Sequence, residues 1–145
     1  MKKLSLLLFG IFLLGAVTVF YQEFKTRNFV EYFIASSNNL EDVVHGITIW
    51  EETDENSSSS IAILRPGDEK YEEVLSALSS WEVRRALFKE MDLTKKLYKL
   101  DIVNDNRPMD PFDILITTDG MLNIHGEEYE LVSGSSIEEI TDLAK

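Results

Sequence analysis

The sequence predicts an α+β fold: an N-terminal transmembrane or signal helix, then an antiparallel sheet in the order β-β-α-β-β-β-β-α, with one main helix packed on a face. Three observations predict it. The chain opens basic and then apolar, with no charge between Leu4 and Tyr21. Several later segments alternate apolar and polar residues with a period of two, the mark of half-buried strands. Between two of those segments the apolar spacing changes to three and four, as one face of a helix requires.

Lys2 and Lys3 form a positive start, and the run that follows would span roughly 27 Å as a helix, about the thickness of a hydrocarbon core. A secretory signal has a shorter apolar stretch and ends in a small-x-small cleavage site. The best such site, Ala16-Val17-Thr18, lies inside the apolar run, and bulky or charged Phe20, Tyr21, Gln22 and Glu23 follow it. Residues 1–21 are therefore read as an uncleaved single-span anchor, with the lipid bilayer as partner of residues 4–21. A cleaved, secreted form is the alternative. Phe24, Phe29, Tyr32 and Phe33 suit the membrane–water interface. The basic pair at the N-terminus favours N-inside, domain-outside, although Lys25 and Arg27 on the far side compete with it. Residues 22–39 read as a juxtamembrane stem, with a helix continuing to about Ile34, and "SSNNLED" as a hinge. Residues 40–145 read as one extracytoplasmic α+β domain.

Each element of that domain has its own signal. "GITIWEE" alternates Ile47 and Ile49 against Thr48 and Trp50, and "IAILR" returns across the polar loop "TDENSSSS" as a hairpin partner. Pro66-Gly67-Asp68 turns the chain, with Asp68 placed to cap a helix bearing Tyr71, Val74, Leu75 and Leu78 on one face. Ser79 with Glu82 fits a capping box, so either a second short helix runs through "VRRALFKEM" or the first continues to about Met91. "KLYKLDIV" and "FDILITT" alternate as strands. Asp119-Gly120 is a two-residue hairpin signal leading into "MLNIH", and Gly126-Glu127 turns the chain into "YELV". Ser136 with Glu139 forms a capping box for a last helix carrying Ile137, Ile140 and Leu143.

The basic-apolar N-terminus and the cadence of "TTDGMLNIHGEEYELVSGSSIEEI" (Thr117 to Ile140) resemble the small membrane-anchored extracytoplasmic domains of unknown function from Gram-positive bacteria. The resemblance implies a location. It implies no activity, and no functional residue carries over from it.

Composition narrows the functions. The formal net charge is −12, and from Leu40 onward acidic residues outnumber basic ones more than twofold. Such a domain repels phosphate backbones, so no nucleic acid partner is expected. Without cysteine, disulfides, thiolate chemistry and Cys-based zinc sites are excluded. His45 and His125 are the only imidazoles, and no nucleophile elbow, H-E-x-x-H or glycine-rich phosphate loop accompanies them. No catalytic residue and no cofactor is assigned. Oxygen-rich segments supply candidate metal ligands in Glu51, Asp54, Asp105 and Asp110, but neither segment has the spacing or sharp glycine turn of a calcium loop. Arg84-Arg85 reads as a local basic spot on a solvated helix face. The expected function is a non-enzymatic, membrane-anchored module that binds an envelope protein or peptide. The alternatives are a small envelope hydrolase using Glu51 or Asp113 beside Trp50 or His45, and a divalent-cation-binding domain.

Overall fold

The structure is a computed structural model, and it describes residues 2–34, 40–53, 57–104 and 112–145. Helix α1 (Lys2–Phe24) meets the sheet near its C-terminal end, and its segment Ser5–Phe24 is long and apolar enough to cross a membrane. The chain then forms β1 (Arg27–Asn28), α2 (Phe29–Phe33), α3 (Leu40–Val43), β2 (Val44–Thr53), β3 (Ser57–Leu64), α4 (Glu69–Ser79) and β4 (Glu82–Arg85). It closes with β5 (Leu97–Asn104), β6 (Phe112–Thr117), β7 (Met121–Ile124), β8 (Glu127–Ser133) and α5 (Ile137–Ala144). All eight strands join one antiparallel sheet in the order β1-β4-β8-β7-β6-β5-β2-β3. The expected α+β class holds.

The strands bury one face, and the reason is visible in their pattern. In β5 Tyr98, Leu100 and Ile102 are buried while Leu97, Lys99, Asp101 and Val103 are half-exposed. Ile47 and Ile49 of β2 and Ile114 and Ile116 of β6 point the same way, because residues directly opposite across strands share a face. Helix α4 brings Tyr71, Val74 and Leu78 to this core, and the Tyr71 hydroxyl donates to the Val44 carbonyl at 2.8 Å. Helix α5 adds Ile137 and Ile140. Its capping box is formed as expected, with Ser136 Oγ accepting from the Glu139 amide at 3.2 Å and the Glu139 carboxylate accepting from the Ser136 amide at 2.9 Å.

Several expectations are corrected. The segment after α4 is a strand, not a helix. Ser79 and Ser80 donate their hydroxyls back to the carbonyls of Ser76 and Ala77, closing α4 instead of opening a new helix. Glu82–Arg85 then alternates, with Val83 inward, and pairs with β8 on one side and β1 on the other. The chain from Gln22 to Ile34 is not one continuous helix. It breaks after Phe24, pairs as β1, and restarts as α2 behind an Asn28 cap whose Oδ1 accepts from Glu31 N at 3.1 Å. Phe29 and Val30 are buried in the domain core, so these residues read as stem pack as part of the folded unit. Asp68 stands at the N-cap of α4, but its carboxylate accepts from Arg65 N at 2.7 Å and so closes the preceding turn.

The turns differ in detail. The β6–β7 connection has three residues, with Gly120 in the left-handed region at φ +81°. The two-residue turn lies instead at His125-Gly126, where both φ values are positive (53° and 83°). That is the backbone a tight hairpin wants, since its twist matches that of the strands.

Residues 86–96 carry the chain from β4 to β5 past β8, β7 and β6, and ion pairs pin this segment. Lys89 meets Glu130 at 2.8 Å, Arg84 Nε donates to the same carboxylate at 2.9 Å, and Lys95 meets Asp119 at 2.6 Å. The Lys89 and Arg84 hydrogen bonds hold the Glu130 carboxyl below its ordinary range, and those from Lys95 and Thr117 do the same for Asp119. A lowered folded-state pKa contributes stability above the unfolded value and loses it as pH falls through the folded one. The pinning is therefore expected to be intact at pH 6, to begin weakening near about pH 4, and to be lost as pH falls through the lowered folded-state values of Glu130 and Asp119. Amide protection factors across residues 91–96 should fall between pH 6 and pH 3, while those in β5 and β6 hold longer. Unchanged protection would mean that packing, not charge, holds the segment.

Candidate functional site

Helices α4 and α5 lie on the core side, which leaves the other face of the sheet free of helices. Residues 86–91 cross that face at β8, where Met91 N donates to Glu128 Oε1 at 3.1 Å, and its β2, β5 and β6 part is partly exposed. Following the register, Trp50, Lys99, Leu115 and Asn123 form one row across β2, β5, β6 and β7. Ile63, Thr48, Asp101 and Asp113 form the next row across β3, β2, β5 and β6. Ile63 is 60 % exposed, and the Trp50, Lys99 and Leu115 side chains are partly exposed.

Trp50 is the anchor of this surface. Its indole Nε1 donates to Asp101 Oδ2 at 2.8 Å, and Lys99 Nζ holds the other oxygen, Oδ1, at 3.0 Å. The indole edge is thereby fixed across the strand pair while part of the ring remains open to solvent. Asp101 and Asp113 stand directly opposite each other, an unfavourable pairing of like charges unless a cation is near. Lys99 is that cation. The hydrogen bond to Asp101 raises its pKa most, and the fields of Asp113 and Glu52 add to it, so the ammonium stays charged throughout the physiological range. A flat surface of this composition can hold an extended or planar partner by stacking and by paired charges.

The residues singled out by sequence are dispersed. Glu51 points to the face opposite Trp50, its neighbour in the strand, and is ion-paired with Lys96 at 3.0 Å. Asp54, Asp105 and Asp110 lie outside the described residues. Asn104 and Phe112, which flank the segment holding the last two, lie toward the other end of the sheet from Glu51, roughly 20 Å and roughly 14 Å away along the strands by register. Among the described residues no three His, Asp or Glu side chains converge as a metal would require. His45 and His125 share one end of the sheet but stand three inter-strand steps apart, roughly 14 Å, too far for one ligand set. His125 lies against the Phe112 ring, 5.0 Å between centroids. Asp113 is exposed and roughly 12 Å from Trp50 by register, so the pocket expected of a hydrolase is not assembled there. Trp81, by contrast with Trp50, is fully buried.

Arg84 and Arg85 lie on a strand, not a helix face, and both are paired. Arg84 meets Glu130, and Arg85 meets Glu127 and, at 3.1 Å, Glu23 near the end of α1. This last pair ties the apolar helix to the sheet. Beside it, Lys25, Thr26, Arg27, Asn28, Glu31 and Tyr32 line a shallow, open cleft of about 630 Å³. The Arg27 guanidinium lies 4.1 Å from the centre of the Tyr32 ring. The clustering of Glu23, Arg27, Tyr32, Arg85 and Glu127 at the helix exit was not legible in the sequence, because these residues come from three distant segments. No protein-family model, curated protein or solved structure matches this chain.

Proposed function

We propose that the chain is a membrane-tethered extracytoplasmic interaction module, without enzymatic activity, that offers the helix-free face of its sheet to an envelope protein or peptide. The observation that carries this reading is the Trp50 platform. A large aromatic ring is locked in position by Asp101, framed by Thr48, Ile63 and Leu115, and left partly open to solvent. Partly exposed aromatics with fixed geometry are what protein recognition surfaces use, because little side-chain entropy is lost when a partner docks. The apolar segment Ser5–Phe24 supports attachment to a bilayer, and the strongly acidic domain disfavours nucleic acid and anionic surfaces as partners.

Photo-crosslinking in intact cells tests this. A photoreactive residue at Thr48 or Leu115 should give one discrete adduct, and the same residue at Glu73, on the solvent side of α4, should give none. Substituting Trp50→Ala should weaken that adduct at least tenfold, since truncating a central aromatic anchor commonly costs about 2 kcal/mol of binding. Adducts of equal yield from all three positions, or from none, would overturn the reading.

A further inference from the structure

Phe88 is the most conspicuous apolar side chain outside α1. It is fully exposed and its backbone has φ 58°, a left-handed conformation that bulky residues seldom adopt. Its neighbour Leu87 is also exposed. Strain of this kind persists only where the surroundings impose it. Here they do: Glu128 grips both ends of the tip, its carbonyl accepting from Ala86 N at 2.8 Å and its Oε1 from Met91 N at 3.1 Å. The residues between are thus forced outward as a short, fixed prong.

The direction of that prong follows from chain topology. From Phe24 the chain leaves α1 and enters β1, and β4 runs antiparallel to β1, with Arg27 opposite Val83 and Asn28 opposite Glu82. Strand β4 therefore returns toward the end of α1, where Arg85 meets Glu23 at 3.1 Å. Leu87 and Phe88 follow immediately, and three residues of extended chain reach at most roughly 10 Å beyond Arg85. Glu23 lies one residue before the end of the apolar segment Ser5–Phe24. A prong at this level meets the headgroup and upper acyl region of a bilayer that holds α1, the depth at which aromatic rings settle.

We infer that the Leu87–Phe88 tip is a second membrane contact, inserted into the same bilayer as α1, so that the domain rests on the lipid surface in a fixed orientation. This inference rests on the reading of α1 as an anchor. The contact is apolar, so it does not need anionic lipid and is not opposed by the acidic domain in a zwitterionic membrane. With α1 and the tip as two points of attachment, tilting is restricted and the Trp50 face is held in a constant position above the membrane.

The absence of native cysteine makes the test direct. The full chain, reconstituted in phosphatidylcholine vesicles, receives one nitroxide label in each of three variants: Leu87→Cys with Phe88 intact, Phe12→Cys in α1, and Ser60→Cys on the far edge strand. Collision with oxygen relative to a water-soluble nickel chelate reports depth. The label at 87 should show a ratio several-fold above that at 60, and adding Phe88→Asp should return it to the value at 60. If the label at 12 lies in lipid while that at 87 matches 60, the inference is wrong and the anchor stands. If the label at 12 is also in water, the anchor reading fails and the inference with it.

Discussion

A fragment beginning at Thr26 is expected to fold cooperatively, whereas one beginning at Leu40 is expected to be largely unfolded at 25 °C. The shorter fragment loses β1 and α2, and with them Phe29, Val30 and Ile34, which are 0 %, 1 % and 9 % exposed. Burying such side chains contributes about 1.5–3 kcal/mol each, so the three together are worth roughly 4.5–9 kcal/mol. The whole stability of a domain this size is about 5–15 kcal/mol. Deletion would also uncover Trp81, whose carbonyl accepts from Phe29 N at 2.9 Å and whose ring meets Phe29 edge-on at 5.4 Å. Urea titrations followed by tryptophan fluorescence would decide. A cooperative transition at an unchanged midpoint for the Leu40 fragment would show that residues 26–39 are a stem after all.

Replacing Trp81 with alanine should be the most damaging single substitution. The side chain is fully buried where α2, β4 and the start of α5 meet, and its Nε1 donates to the Ser135 carbonyl at 2.8 Å. Packing there is tight: a Cβ built on Gly134 would lie 2.7 Å from Trp81 Cδ1, so only glycine leaves the ring its space. Large-to-small changes at such sites cost about 3–5 kcal/mol. For a domain of this length that lowers the melting temperature by on the order of 15 °C. Trp81→Phe keeps most of the volume but leaves the Ser135 carbonyl unpaired, and should cost less. A double-mutant cycle with Phe29→Ala should return a coupling of about 1 kcal/mol, the usual worth of an edge-on aromatic pair beyond its buried area. Loss at Trp81→Ala of no more than a typical surface substitution, under about 0.5 kcal/mol, would contradict the packing described.

The two predictions fall where sequence reading and structure part. β5 and β6 announce themselves because one face is buried and the other is not, which forces strict alternation in Tyr98, Leu100, Ile102 and again in Phe112, Ile114, Ile116. The cap at Ser136 is equally legible, since both of its hydrogen bonds lie within three residues. β4 is not legible. Four residues hold too little alternation to outweigh a helical reading, and the partner that makes them a strand, β8, lies more than forty residues ahead. The same holds for Phe29 and Val30, whose aromatic and aliphatic character suits a membrane interface as well as a core. Only the presence of Trp81 beside them resolves the ambiguity.

The candidate site divides along the same line. Trp50 stood out in the sequence as one of two tryptophans, but which of the two is buried depends on which face of the sheet the helices cover. The Trp50–Asp101 bond joins residues 51 positions apart, and the Arg85–Glu23 pair joins residues 62 apart. By itself the sequence determined the apolar N-terminal helix, the α+β class, the acidic surface and most strand and helix positions, because each depends on periodicity or charge within about ten residues. Only the tertiary structure decided that Phe29, Val30 and Ile34 belong to the core, that β4 is a strand, and where Trp50 and Phe88 point. Those outcomes depend on long-range packing, whose partners local periodicity does not encode.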